Sequence, residues 1–308
     1  MKKIRQQFAD TMLALGQEDP KLAVLVGDIS HFILQPFAKA CPGRFYNVGI
    51  CEPTMISMAA GLSKVGLYPV AHTIAPFIIE RSFEQIKLDF CYQGLPGNII
   101  TVGSAFDYAN LGCTHHCYDD FALIKSLPRT QIIYPASCEE FDILFRETYR
   151  NDHLTLFRLP EYQHEQPIDL SLIKFGKAIR LIEGADVTII AAGPQLKNAV
   201  VAAQQLKKQL KSVEIIYIPT IHPLDESMIH QSASKTKRVI VVQEHHVNGG
   251  VGDDVRRIVM EITGVKLIDL GIKGFVRDYG SYAQLCQVAG LSVEGILEAV
   301  EQILVPHP

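Results

Sequence analysis

The feature that most constrains this chain is a rhythm in its apolar residues: short runs rich in β-branched side chains alternate with longer stretches carrying apolar residues at helical spacing. Ile4, Phe8, Met12 and Leu15 predict a helix over 3–16, and Leu22-Ala-Val-Leu-Val-Gly-Asp28 predicts the buried strand after it. Phe45–Val48, Tyr68–Thr73, Asn98–Gly103, Gln131–Ala136 and Leu154–Leu159 read as further strands, with helices over Pro53–Lys64, Phe77–Cys91 and Cys138–Arg150 between them. Such alternation predicts a parallel sheet, because crossover connections lay helices on both faces and the strands must then be apolar on both sides. Pro160, Pro167 and scattered charge break the pattern over 160–182. Beyond it, Val187–Gly193, Val213–Pro219, Arg238–His245 and Val265–Ile272 read as strands again, with a helix over Leu196–Leu210. A length of 308 residues suggests about two domains. The expectation is α/β: two consecutive domains with mainly parallel sheets flanked by helices, the first over 1–165, a linker over 166–182 and the second over 183–308.

Composition narrows the function classes. The formal charge is −4, from 29 Lys+Arg against 33 Asp+Glu, and no basic run is long enough to track a phosphate backbone, so nucleic acid is not an expected partner. No apolar run approaches the ~20 residues that span a bilayer, and Gln6, Gln7 and Asp10 interrupt what would be the apolar centre of a signal peptide. A cytoplasmic protein, not a membrane one, is expected. Seven cysteines, an odd number in a chain too large to need staples, read as reduced thiols.

Asn47-Val-Gly-Ile-Cys-Glu-Pro-Thr-Met55 puts a lone carboxylate, Glu52, where a strand end gives way to a helix with Pro53 in its first turn. On its own this reads first as a helix-end acid favoured by the macrodipole and only second as a catalytic group. Two further segments bear on it: His72-Thr-Ile-Ala-Pro-Phe-Ile-Ile-Glu-Arg-Ser-Phe-Glu-Gln-Ile86 and Gly112-Cys-Thr-His-His116. Together with Gly49-Ile-Cys-Glu52 they resemble, in order and separation, the pyrimidine-binding domain of transketolases. The opening, Ile4-Arg-Gln-Gln-Phe-Ala-Asp10 and Val24-Leu-Val-Gly-Asp28, is similar to the start of that domain. Val242-Gln-Glu-His-His-Val-Asn-Gly-Gly-Val-Gly252, with the segment from Phe275 to Leu291, resembles the same enzymes' C-terminal domain.

The resemblance implies thiamine diphosphate as cofactor, with Mg²⁺ or Ca²⁺. The family's Gly-Asp-Gly diphosphate motif is absent; Gly27-Asp28-Ile29 and Gly252-Asp253-Asp254 come nearest. It therefore implies the C-terminal half of a split transketolase, with metal and diphosphate held mainly by a separate N-terminal subunit, an α₂β₂ assembly, and no metal ligands in this chain. Glu52 falls on the glutamate that hydrogen-bonds the coenzyme's aminopyrimidine and lets the coenzyme act as its own base. Phe77 falls on the aromatic that stacks on that ring, and Asp28 and Ile74 are placed beside them on the cofactor. Arg5 and Arg158 fall on two arginines that grip a sugar phosphate, and His115 on a histidine that touches substrate oxygens near the reacting carbon.

The match departs where substrate is read. Gly103 stands in place of a histidine, Leu111 in place of an acid and Phe32 in place of a serine, with Phe106 and Tyr108 in the loop between. A changed ketose, a less polar acceptor or a lost activity each fits. Two other patterns are weaker. Cys113-Thr-His-His-Cys117 lacks the spacing of common zinc sites, and Gly249-Gly-Val-Gly252 lacks a full dinucleotide fingerprint and reads as close helix–strand packing. The first expectation is a two-carbon ketol transferase active only with its N-terminal partner. The alternatives are the β subunit of a 2-oxo acid dehydrogenase, a deoxyxylulose-phosphate-synthase-like enzyme, or a noncatalytic assembly subunit.

Overall fold

The computed structural model describes residues 2–305. Two sheets, each layered between helices, account for the alternating pattern. The first contains β1 (Leu22–Val26), β2 (Phe45–Asn47), β3 (Tyr68–Ile74), β4 (Gly97–Val102), β5 (Thr130–Ile133) and β6 (Leu154–Leu159), all mutually parallel. Every residue of β1, β4, β5 and β6 is buried, as expected of strands covered on both faces. The helix Ile4–Glu18 lays Ile4, Phe8, Met12 and Leu15 on this sheet.

The second sheet contains β7 (Ile179–Ile182), β8 (Val187–Ala191), β9 (Val213–Tyr217), β11 (Arg238–His246) and β12 (Lys266–Ile272), in the order β12-β11-β8-β9-β7. Its interior is parallel, and β7 runs antiparallel at one edge.

Three features depart from the expected layout. Residues 179–182, placed in the linker, are strand β7: Ile179 and Ile182 pair with β9, so the connecting segment ends earlier than 182. The short strand β10 (Thr220–His222) leaves the second domain and pairs antiparallel with β5, which completes a seven-stranded sheet ordered β10-β5-β6-β4-β3-β1-β2. The two domains thus share a sheet edge that no local pattern announces. Finally, the helix expected over Phe77–Cys91 is broken into Ala75–Ile79, Phe83–Gln85 and a π-helical turn, Ile86–Cys91. The break has a local cause. The amides of both Glu80 and Arg81 turn back to the Pro76 carbonyl, and the Ser82 hydroxyl donates to the Phe77 carbonyl, so the chain widens by one residue there.

Candidate functional site

In an open parallel sheet, ligands bind beyond the carboxyl ends of the strands, where the winding direction reverses. Here β1 leads outward to β2 on one side and inward to β3 and β4 on the other, so the reversal lies between β1 and β3. The loops after β1, β2, β3 and β4 carry Asp28, Glu52, Phe77 and His115 to that end of the sheet.

After β1 the chain turns sharply, with Asp28 and Ser30 both at positive φ. Asn47 fixes the turn by accepting from the Asp28 amide at 3.1 Å and donating to its carboxylate at 3.2 Å. The Asp28 carboxylate stays half-exposed, 3.9 Å from His31 Nδ1. Beneath it, buried His72 donates from Nδ1 to the Ile100 carbonyl (2.9 Å) and accepts from the Ser30 hydroxyl (2.8 Å) at Nε2. Burial pulls the His72 pKa down to about 3, so it is a neutral strut.

Glu52 is the first residue of the helix Glu52–Lys64, whose start has no side-chain cap. The carboxylate is only 1% exposed. Oε2 accepts from Arg81 Nη1 at 2.7 Å, and Oε1 has no hydrogen-bond partner. A buried, half-satisfied carboxylate costs free energy unless something else completes it. Ile74 ends β3, half-buried, and Phe77 follows in the next turn. The Phe77 ring stands edge-on to the His115 ring, centroids 5.2 Å apart, and the Arg81 guanidinium lies 4.4 Å above it. The Thr114 hydroxyl, 3.0 Å from His115 Nδ1, orients that imidazole.

Sequence reading placed Glu52, Phe77 and His115 in one site, and the fold joins them through shared contacts. It missed Arg81, which touches both Glu52 and Phe77. The available signal was a cation four residues after an aromatic at a helix start. Arg5 stands at the same end of the sheet but pairs with Glu161 at 3.8 Å.

Arg158 is a correction to the expected two-arginine grip. Its side chain is fully buried, packed against the rings of Phe121 and Tyr134, and donates to the carbonyls of Cys117 (3.1 Å) and Glu244 (2.9 Å). Nε lies 3.1 Å from Asp120 Oδ2, poorly aligned for a hydrogen bond, so that contact is an ion pair. The guanidinium is an internal brace between the domains and offers no open face to a phosphate. The substrate-side departures are also visible. The Tyr108 ring fills the space beside Gly103, and Phe32 and Leu111 are exposed.

Neither weaker motif makes a site. Of Cys113-Thr-His-His-Cys117 only Cys117 joins a potential ligand group among the described residues, with Glu80 and Asp119. Burial and the neighbouring acids push the Cys117 thiol up, and the same burial with the Asp119 charge pushes Glu80 to about 7. A cation there would have to displace the Cys117 proton and compete with protonation of Glu80. At Gly249–Gly252 two amides are already taken, Gly249 donating to Asp253 and Val251 to Gln243, while the Asp269 carboxyl fills the space beside Gly252.

Comparison with known proteins identifies the family. The transketolase pyrimidine-binding domain family matches residues 1–165 and the transketolase C-terminal domain family residues 176–296. The chain is 28% identical over 306 residues to a 6-deoxy-6-sulfo-D-fructose transketolase subunit of a Clostridium species, covering 97% of this chain and 94% of that one. It is 29% identical to one subunit of an apulose-4-phosphate transketolase from Phocaeicola vulgatus, covering 95% and 94%. It is 30% identical to the 1-deoxy-D-xylulose-5-phosphate synthase of Halothermothrix orenii, where the match covers 97% of this chain but spans about half (48%) of the synthase. Among solved structures, a split-gene transketolase described as an inactive β4 tetramer superposes with a TM-score of 0.89 at 30% identity, covering 98% of both chains. The chain belongs to the transketolase family, as a pyrimidine-binding domain followed by a transketolase C-terminal domain.

Proposed function

We propose that this chain is the C-terminal subunit of a split, thiamine diphosphate-dependent transketolase that moves a two-carbon ketol unit between sugar-like substrates. Glu52 carries the reading: a fully buried carboxylate with one unpartnered oxygen, beside an aromatic face, at the crevice where the sheet reverses. The residues fit an aminopyrimidine. Glu52 Oε1 would share a proton with a ring nitrogen, and the half-buried face of Phe77 would stack on the ring while its apolar surroundings exclude water. When bound, the coenzyme supplies a carbanion nucleophile that the protein itself lacks. His115, held by Thr114, stands where it can exchange a proton with a substrate oxygen. Asp28, in the turn after β1, and Ile74, at the end of β3, would flank the ring, and of the two arginines expected to grip substrate only Arg5 is left.

Diphosphate and Mg²⁺ are assigned to an N-terminal subunit in an α₂β₂ complex. Full-length similarity to two split-transketolase subunits supports that division. Calorimetric titration of thiamine diphosphate with Mg²⁺ tests it: binding is expected in the mixture with the N-terminal subunit and not in the lone chain. Tight metal-dependent binding by the lone chain would refute it.

A second reading, a deoxyxylulose-phosphate-synthase-like reaction, draws on the 30% identity to such synthases. Release of CO₂ from pyruvate by the assembled pair would favour it over ketol transfer.

A further inference from the structure

We infer that Arg81 is an internal plug, occupying the coenzyme ring's place until the ring arrives; the inference rests on the assignment of Glu52 and Phe77 to that ring. The guanidinium is flat and cationic, donates to Glu52 Oε2 at 2.7 Å and lies 4.4 Å from the centroid of Phe77. An aminopyrimidine is a flat ring that would share a proton between a ring nitrogen and the same carboxylate and stack on the same face. The two occupants call on the same two residues: Arg81 holds Glu52 Oε2 and the face of Phe77, and the ring needs that face and the neighbouring Oε1.

They cannot share that face of Phe77. Inserting a second flat group between Arg81 and Phe77 needs two stacking distances, about 7 Å in all, against the 4.4 Å observed. One must leave, and Arg81 is built to do so. Its side chain is 45% exposed on a flexible stem, whereas that of Glu52 is 1% exposed and fixed on its helix. The widened turn at Glu80 and Arg81, where both amides return to the Pro76 carbonyl, is what brings the guanidinium back over the ring. In the free chain the plug gives a buried carboxylate a counter-charge it otherwise lacks. On assembly the same contact competes with the coenzyme, so part of the coenzyme's binding free energy goes into displacing it.

The test is Arg81→Met, read in two ways. In the assembled pair, calorimetric titration of thiamine diphosphate with Mg²⁺ is expected to give a Kd about tenfold tighter than wild type. In the lone chain, Arg81→Met is expected to lower the Tm by ~3 °C, and the double variant Glu52→Gln/Arg81→Met to recover most of it. An unchanged or weaker Kd for Arg81→Met overturns the plug, a weaker one meaning that Arg81 supports the bound ring instead. Glu52→Gln separates this from failure of the underlying assignment. If Glu52→Gln binds the coenzyme as well as wild type, the assignment itself is wrong. If it binds more weakly while Arg81→Met gains nothing, the plug alone is wrong.

Discussion

Replacing Arg158 by methionine keeps much of the stem's volume and deletes the charge, so it isolates what a fully buried guanidinium does in this protein. Removing one partner of a buried ion pair costs about 3–5 kcal/mol, because the other charge is left uncompensated. Asp120 limits the cost here. Burial already raises its pKa to about 6 with Arg158 pulling it back, so without the arginine it takes up a proton near neutral pH. Against that, the Cys117 and Glu244 carbonyls each lose a donor, at about 1 kcal/mol apiece. A net loss of about 4 kcal/mol corresponds, at ~2–4 °C per kcal/mol, to a Tm lower by roughly 8–16 °C in calorimetry of the lone chain. Asp120→Asn in the same background should restore part of it, since the two side chains are one unit. A Tm within about 2 °C of wild type, with the loss appearing as a higher KM for a sugar phosphate in the assembled pair, would show that the guanidinium faces the crevice after all.

Asp107 predicts a pH dependence. Burial, then the charge of Glu244, raises its carboxyl from 3.8 to about 8. The folded chain therefore binds a proton that the unfolded chain releases, so this contribution is complete below about pH 4 and is lost as pH rises through about 8. Asp107→Asn, whose amide oxygen can still accept from Ser104 and Glu161, should flatten the decline in Tm between pH 5 and 8; parallel curves for the two proteins would reject this. Phe77→Ala should weaken thiamine diphosphate binding by the assembled pair about tenfold through lost stacking, with little change in the lone chain's Tm. An unaltered Kd would remove Phe77 from the site. Gly252→Ala drives a methyl into the Asp269 carboxyl and should cost about 1–3 kcal/mol of stability in urea denaturation. Full stability of the variant would mean that the Asp269 carboxyl swings away freely and that close packing does not require Gly252.

The residue string by itself determined the elements and their class. Leu22–Val26 is a strand in any packed context, because an apolar run of that length with nowhere polar to face is covered on both sides. The spacing of Ile4, Phe8, Met12 and Leu15 likewise leaves a helix one face to bury. The segments around Glu52, Phe77 and His115 drew notice through their resemblance to transketolases, and they come to one end of the sheet because each follows a strand and parallel strands all end on one side. What the tertiary structure alone decided were contacts between segments distant along the chain. Leu-Phe-Arg-Leu reads the same whether Arg158 faces a crevice or the core; Asp120 and the rings of Phe121 and Tyr134 settle it. Thr220–His222 is too short to announce a strand, and joins the first sheet because β5 offers an unpaired edge there. Arg81 sits on Phe77 and Glu52 because the turn widens by one residue at Glu80, a register change that periodicity does not record. Local patterns report what each segment must hide, and only packing reports which partner hides it.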